Sequence, residues 1–143
     1  KKIIRISTIP ISLDVFCRGQ LAALRDEGYE VIALSSPGQA LDNIYEREQV
    51  RTHAIPMKRR ISPLQDLKSL WRLYRYFRHE QPDMVHSLTP KAGLLGMMAA
   101  KMAGVPLRVH TCTQRYQPAH SENYRQNTLP MRNTHKPRRQ RRP

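Results

Sequence analysis

The chain has 143 residues, 39% of them hydrophobic, with a mean hydropathy of −0.65 and a net charge of +14. That length allows one compact domain, and no stretch approaches the roughly 18 consecutive apolar residues of a membrane span. Two cysteines, Cys17 and Cys112, lack the spacing of a metal site or a disulfide framework, which fits a reducing cytoplasm. The Lys1-Lys2 start leads into an apolar run too short for a signal peptide, broken by Arg5 and Pro10. Residues 1–113 carry seventeen basic and ten acidic residues, net +7, and residues 114–143 carry eight and one, again +7. Such a balance points to an anionic partner, either nucleic acid or an acidic membrane surface.

In chain order, Ile3 to Ile9 is a β-branched run that reads as a buried strand ended by Pro10. Leu13 to Arg25 follows as a helix with Val15, Phe16, Leu21 and Leu24 at apolar spacing, stopped by Gly28. Tyr29–Leu34 reads as a strand, 40–49 as a short polar helix and Arg51–Ile55 as a third strand. The next helix has the clearest start: Ser62 as cap, Pro63 at the first position and Gln65 closing a capping box. It runs to about Glu80, with Leu67, Leu70, Trp71, Tyr74 and Phe77 as its apolar stripe. Met84–Leu88 is a fourth strand, a helix opens at Thr89-Pro90 and ends at Gly104, and Leu107–Cys112 is a fifth strand. Apolar, unalternating strands that alternate with helices predict an α/β fold, a Rossmann-like parallel sheet flanked by helices. After Thr113 periodicity stops, which predicts a basic tail without stable order over 114–143.

The run from Asp83 to Thr113 contains His86, Lys91-Ala92-Gly93, Ala99-Ala100, Gly104-Val105-Pro106 and His110-Thr111. In that order these residues resemble the N-terminal domain of glycosyltransferase family 4, two-domain GT-B enzymes. The opening STIPISLDVFCRGQL and the helix SPLQDLKSLWRLYRYFR are similar to the branch that builds capsular and other surface polysaccharides. The resemblance covers about 113 residues and implies a partial N-terminal GT-B domain. In the family an aromatic residue, Thr and Gly follow His-Thr, where this chain has Cys112, Thr113 and Gln114. Met131–Arg139 can be encoded so that a reading frame one nucleotide later spells a family-like segment, so a truncated chain with a frameshifted tail is the expectation.

Ligands of open α/β sheets bind at the carboxyl ends of strands, where His110 stands. The resemblance makes it the catalytic candidate, facing an interdomain cleft beside the donor sugar, and a neutral imidazole can give or take a proton near pH 7. A packed strand-end histidine serving a backbone group is the competing reading. His86, Ser87, Thr89, Lys91 and Thr111 are expected to line the acceptor side, with the start of the 90–104 helix suited to a phosphate. Capping explains Thr89 equally well. Ser7–Leu13 contains no glycine, and Gly93 with Gly96 is too weak for a dinucleotide fingerprint. No metal and no cofactor are expected. By resemblance the nucleotide-sugar is a substrate, held mainly by a second domain, and the acceptor is a lipid-linked or growing saccharide.

Lys58, Arg59, Arg60, Lys68, Arg72, Arg75 and Arg78 face a single acid, Asp66, so residues 58–78 carry +6. A basic amphipathic helix suits docking on an anionic membrane surface, the inner face of the cytoplasmic membrane for a cytoplasmic enzyme, while a solvated helix face is the bland alternative. The tail's KPRRQRRP resembles an arginine-rich RNA-binding segment, and a small nucleic-acid-binding protein is the rival function. Met97, Met98 and Met102 read as core filling. Half a cleft cannot hold donor and acceptor together, so the chain alone is expected to be inactive.

Overall fold

The computed structural model describes residues 1–58, 60 and 62–111. The readings made on Arg59, Cys112, Thr113 and the 114–143 tail lie outside those residues. Strands β1 (Lys2–Ile6), β2 (Glu30–Ser35), β3 (Arg51–Ala54), β4 (Met84–Ser87) and β5 (Leu107–His110) form one sheet in the order β3-β2-β1-β4-β5. Every pairing is parallel. Helices α1 (Pro10–Phe16), α2 (Gln20–Asp26) and α3 (Gln39–Glu48) cover one face, and α4 (Pro63–Glu80) with α5 (Pro90–Met102) covers the other. This is the Rossmann-like layer expected from the sequence.

Strand side chains alternate between faces, so each strand feeds both cores. Ile4, Ile6, Ile32, Leu34 and Val85 pack under Leu73 and Phe77 of α4 and the small residues of α5. Val31 and Ala33 pack under Leu13, Cys17, Leu21, Leu41 and Ile44 of the other helices. Full burial of each large side chain stabilises the fold by roughly 1.5–3 kcal/mol. Ala92, Gly96, Ala99 and Ala100 let α5 lie close to the sheet: a Cβ on Gly96 would stand 3.3 Å from Ile6 Cδ1. Gly96 is therefore a packing residue.

Several expectations change. The helix expected over 13–25 is two helices, broken where Gly19 adopts φ +74 and opens α2. Pro10 begins α1 at its first position instead of merely ending β1. The break also turns the apolar face: Leu13, Cys17 and Leu21 are buried, whereas Val15 and Phe16 are exposed. Buried Glu48 accepts from the Gly19 and Ala22 amides at 2.9 and 3.0 Å and so caps α2 from α3. Ser62 is the α4 N-cap but its side chain makes no capping bond, so the expected box does not form; Asp66, not Gln65, accepts from the Ser62 amide at 3.1 Å. The buried stripe of α4 is Ser69, Leu73, Phe77 and Glu80, while Leu67 and Trp71 are 65% and 56% exposed. Met98 and Met102 are likewise exposed, and Met97 alone of the three packs against the core.

Candidate active site

The sheet order reverses direction between β1 and β4, so a crevice opens outside their carboxyl ends. Its walls are the turn after β1 and the turn between β4 and α5. Thr89 stands at the N-cap of α5 with extended backbone, yet its side chain makes no capping bond there. Its hydroxyl instead accepts from the Thr8 amide at 3.0 Å and meets the Thr8 hydroxyl at 2.9 Å, tying the two turns together. Thr8 is buried and belongs to the site's frame, and nothing in its local sequence marks it beyond its place just after β1.

One strand further out, Ser87 pairs in register with His110. Their side chains share the α5 face, and Ser87 Oγ lies 2.7 Å from His110 Nδ1. Ser87 is fully buried and His110 exposed, so a fixed hydroxyl orients an imidazole whose Nε2 remains for a ligand. The ring lies directly over Gly93: a Cβ there would stand 2.5 Å from His110 Cε1 and 2.7 Å from Nδ1. Gly93 thus creates the space that His110 occupies, a role invisible in spacing alone.

His86 is one residue earlier on β4 and so points to the opposite face, the side of α1–α3. There its Nε2 meets Thr111 Oγ1 at 2.7 Å, and it pairs in register with Arg5. Burial, followed by the fields of Arg5 and His110, holds its imidazole below the ordinary histidine value, which favours the neutral ring at pH 7. Both histidines stand at the carboxyl edge of the sheet, but on opposite faces, so they do not share one pocket wall. Lys91 is also committed elsewhere: its ammonium is 2.7 Å from Asp66 and donates to the Arg60 carbonyl. Asp66 holds α4 to α5 through that contact, and its carboxyl lies below the usual range chiefly because Lys91 donates to it. The group at the helix start with a free functional face is His110, braced by Ser87 and Gly93.

A parallel sheet with polar side chains gathered around its switch point, and a braced imidazole beside it, defines a Rossmann-like α/β domain. The chain belongs to the glycosyl transferase 4-like domain family, whose sequence profile matches residues 13–142. The match continues into the basic tail, beyond the 113 residues that carry the visible resemblance. Over 111 residues the chain is 40% identical to the capsular polysaccharide biosynthesis glycosyltransferase CapM of Staphylococcus aureus, covering 78% of this chain and 28% of CapM. Over 68 residues it is 44% identical to the UDP-Gal:alpha-D-GlcNAc-diphosphoundecaprenol alpha-1,3-galactosyltransferase of Escherichia coli, covering 47% of this chain and 18% of that enzyme. A solved glycosyltransferase from Rickettsia africae has the same fold, with a TM-score of 0.63 at 13% identity over 86% of this chain and 33% of its own. The chain thus spans little more than a quarter of CapM's length. None of these similarities supports the nucleic-acid-binding reading.

Proposed function

We propose that this domain is the acceptor-side wall of a two-domain, retaining, metal-independent glycosyltransferase that extends a lipid-linked or growing surface saccharide. The donor is a nucleotide-sugar held by the opposite domain. The observation that carries this reading is the exposed His110 imidazole, fixed through Nδ1 by Ser87 at the carboxyl end of β5. A preoriented imidazole of this kind can hydrogen-bond the donor sugar and stabilise charge as the transferred sugar leaves its phosphate, without reorganising at the moment of reaction. The similar Escherichia coli enzyme, by its name, joins a nucleotide-sugar to a diphosphoundecaprenol-linked acceptor, and CapM serves capsule synthesis. The same two classes of substrate fit here.

Catalysis needs donor and acceptor held in one closed cleft, so the chain alone is expected to transfer no sugar. Substituted for the matching residues of CapM, it is expected to support transfer, and His110→Ala in that hybrid to reduce kcat by roughly 10²-fold or more. Turnover by the isolated chain, or an unchanged rate with His110→Ala, would sink the proposal.

Membrane contact through α4 is part of this reading. No helix among the described residues is long and apolar enough to cross a membrane. On α4, however, Leu64, Leu67 and Trp71 are exposed at i, i+3 and i+7, and Lys68, Arg75 and Arg78 rise from the same outward face. Lys58, Lys68, Arg72, Arg75 and Arg78 make no ion pair among the described residues. An apolar ridge edged by unneutralised cations fits an anionic bilayer, at about 1 kcal/mol per basic residue near the headgroups. The pair Leu64→Ser and Leu67→Ser is expected to weaken co-sedimentation with phosphatidylglycerol vesicles by at least about tenfold. Undiminished binding would assign vesicle association to some other segment.

A further inference from the structure

A shallow groove of about 500 Å³ runs between the edge strand β3 and α4. His53, Trp71, Arg72, Arg75, Tyr76 and His79 line it with the 54–56 segment, with no carboxylate among the described residues there. β3 and β5 are the two outermost strands, so the groove lies across the sheet from His110 and outside the crevice described above. Its floor is flat: the His53 and Tyr76 rings stack at 4.1 Å with planes 9° apart. Burial first of all pushes the Tyr76 phenol up to about 12 and pulls His53 down, so the floor is uncharged at neutral pH. Its rim is cationic. The Arg75 guanidinium lies 4.7 Å over the Trp71 ring, which orients it without neutralising it. Arg72 and Arg75 have no acidic partner among the described residues, and Glu80, whose field reaches the floor, is taken by Lys2 and Arg51.

We infer that this groove receives the phosphate of an anionic membrane lipid, with Arg72 and Arg75 on the phosphate and Trp71 at the boundary with the acyl chains. The ligand is a lipid and not a free phosphoester because Trp71, which lines the groove, is also an exposed member of the outward apolar ridge. A soluble phosphate leaves that apolar surface in water. A guanidinium pair can meet a phosphate with fixed, paired donors that an ordinary positive surface does not supply. The inference rests on the membrane-docking reading above and narrows it from a charged helix face to one pocket.

Trp71 is the chain's single tryptophan, so its fluorescence reports this groove directly. With the full chain, phosphatidylglycerol vesicles are expected to shift Trp71 emission to the blue and, when brominated, to quench it, while phosphatidylcholine vesicles and free glycerol phosphate do neither. The pair Arg72→Ser and Arg75→Ser is expected to reduce vesicle affinity at least about tenfold more than the pair Lys68→Ser and Arg78→Ser, which removes the same charge from the same helix. All four side chains are exposed, so both variants should keep the native circular dichroism spectrum. Equal losses in the two pairs would overturn the groove and leave docking of the whole face standing. Vesicle binding with no change at Trp71 would overturn both. A full blue shift with glycerol phosphate alone would overturn the lipid as ligand.

Discussion

Glu80→Gln is expected to lower stability at pH 7 by about 2–3 kcal/mol and to flatten the protein's loss of stability in acid. Glu80 ends α4 with its side chain 7% exposed, where burial alone would raise its carboxyl. Arg51 of β3 and Lys2 of β1 outweigh that burial, at 2.9 and 2.8 Å, and hold the carboxyl at about 2 against an ordinary 4.5. Because the folded value is the lower one, this stabilisation is complete above the ordinary carboxylate range. It disappears as pH falls from about 5 towards 2. The shift corresponds to about 3 kcal/mol at neutral pH, reduced somewhat in the variant because the half-exposed Arg51 can rehydrate. For a body of this size that means a Tm roughly 10–15 °C lower at pH 7. Thermal melts from pH 7 to 3 should show the two curves converging in acid. Glu48, also held below its ordinary range despite burial, keeps a residual slope in the variant. An unchanged acid slope in Glu80→Gln would refute the assignment.

The fold was legible because its signal is redundant. Five strands, the first four each followed by helical spacing, leave few topologies once crossovers are right-handed. What sequence hid were directions within elements. Along α4, Leu67 and Trp71 look like core until Ser69 and Leu73 are recognised as an equally good phase, and Ser69 is buried because its hydroxyl reaches the Pro56 carbonyl at 2.8 Å. A polar residue satisfied by backbone is not recognisable from hydropathy. His86 and His110 each sit near a strand end, but only register, which sets His86 opposite Val109 and His110 opposite Ser87, reveals that they point to opposite faces. Lys91 has the composition of an anion ligand, and its partner Asp66 is 25 residues away on another helix, out of reach of any local pattern.

Gly93→Ala is expected to separate the place of His110 from the stability of the fold. Gly93 is inside α5, so alanine should gain up to about 1 kcal/mol in helix propensity. Against that gain stands a Cβ 2.5–3.0 Å from three atoms of the imidazole, closer than any real contact, so either the ring or the helix must move. The helix is locked to the sheet by buried Ala92, Leu95, Ala99 and Ala100, whereas the ring belongs to an exposed side chain at the end of an edge strand. The ring should yield, losing its bond to Ser87 at a cost of roughly 1 kcal/mol, so net stability should change little. Nitrogen NMR of the imidazole should then show Nδ1 released, and Ser87→Ala should reproduce that change without crowding the ring. In the CapM hybrid, Gly93→Ala should reduce kcat by roughly 10²-fold, because a displaced catalytic group loses most of its advantage within about 1 Å. A variant that keeps the Ser87–His110 bond, or that loses the ring's position while transferring sugar at the parent rate, would show that Gly93 serves packing alone.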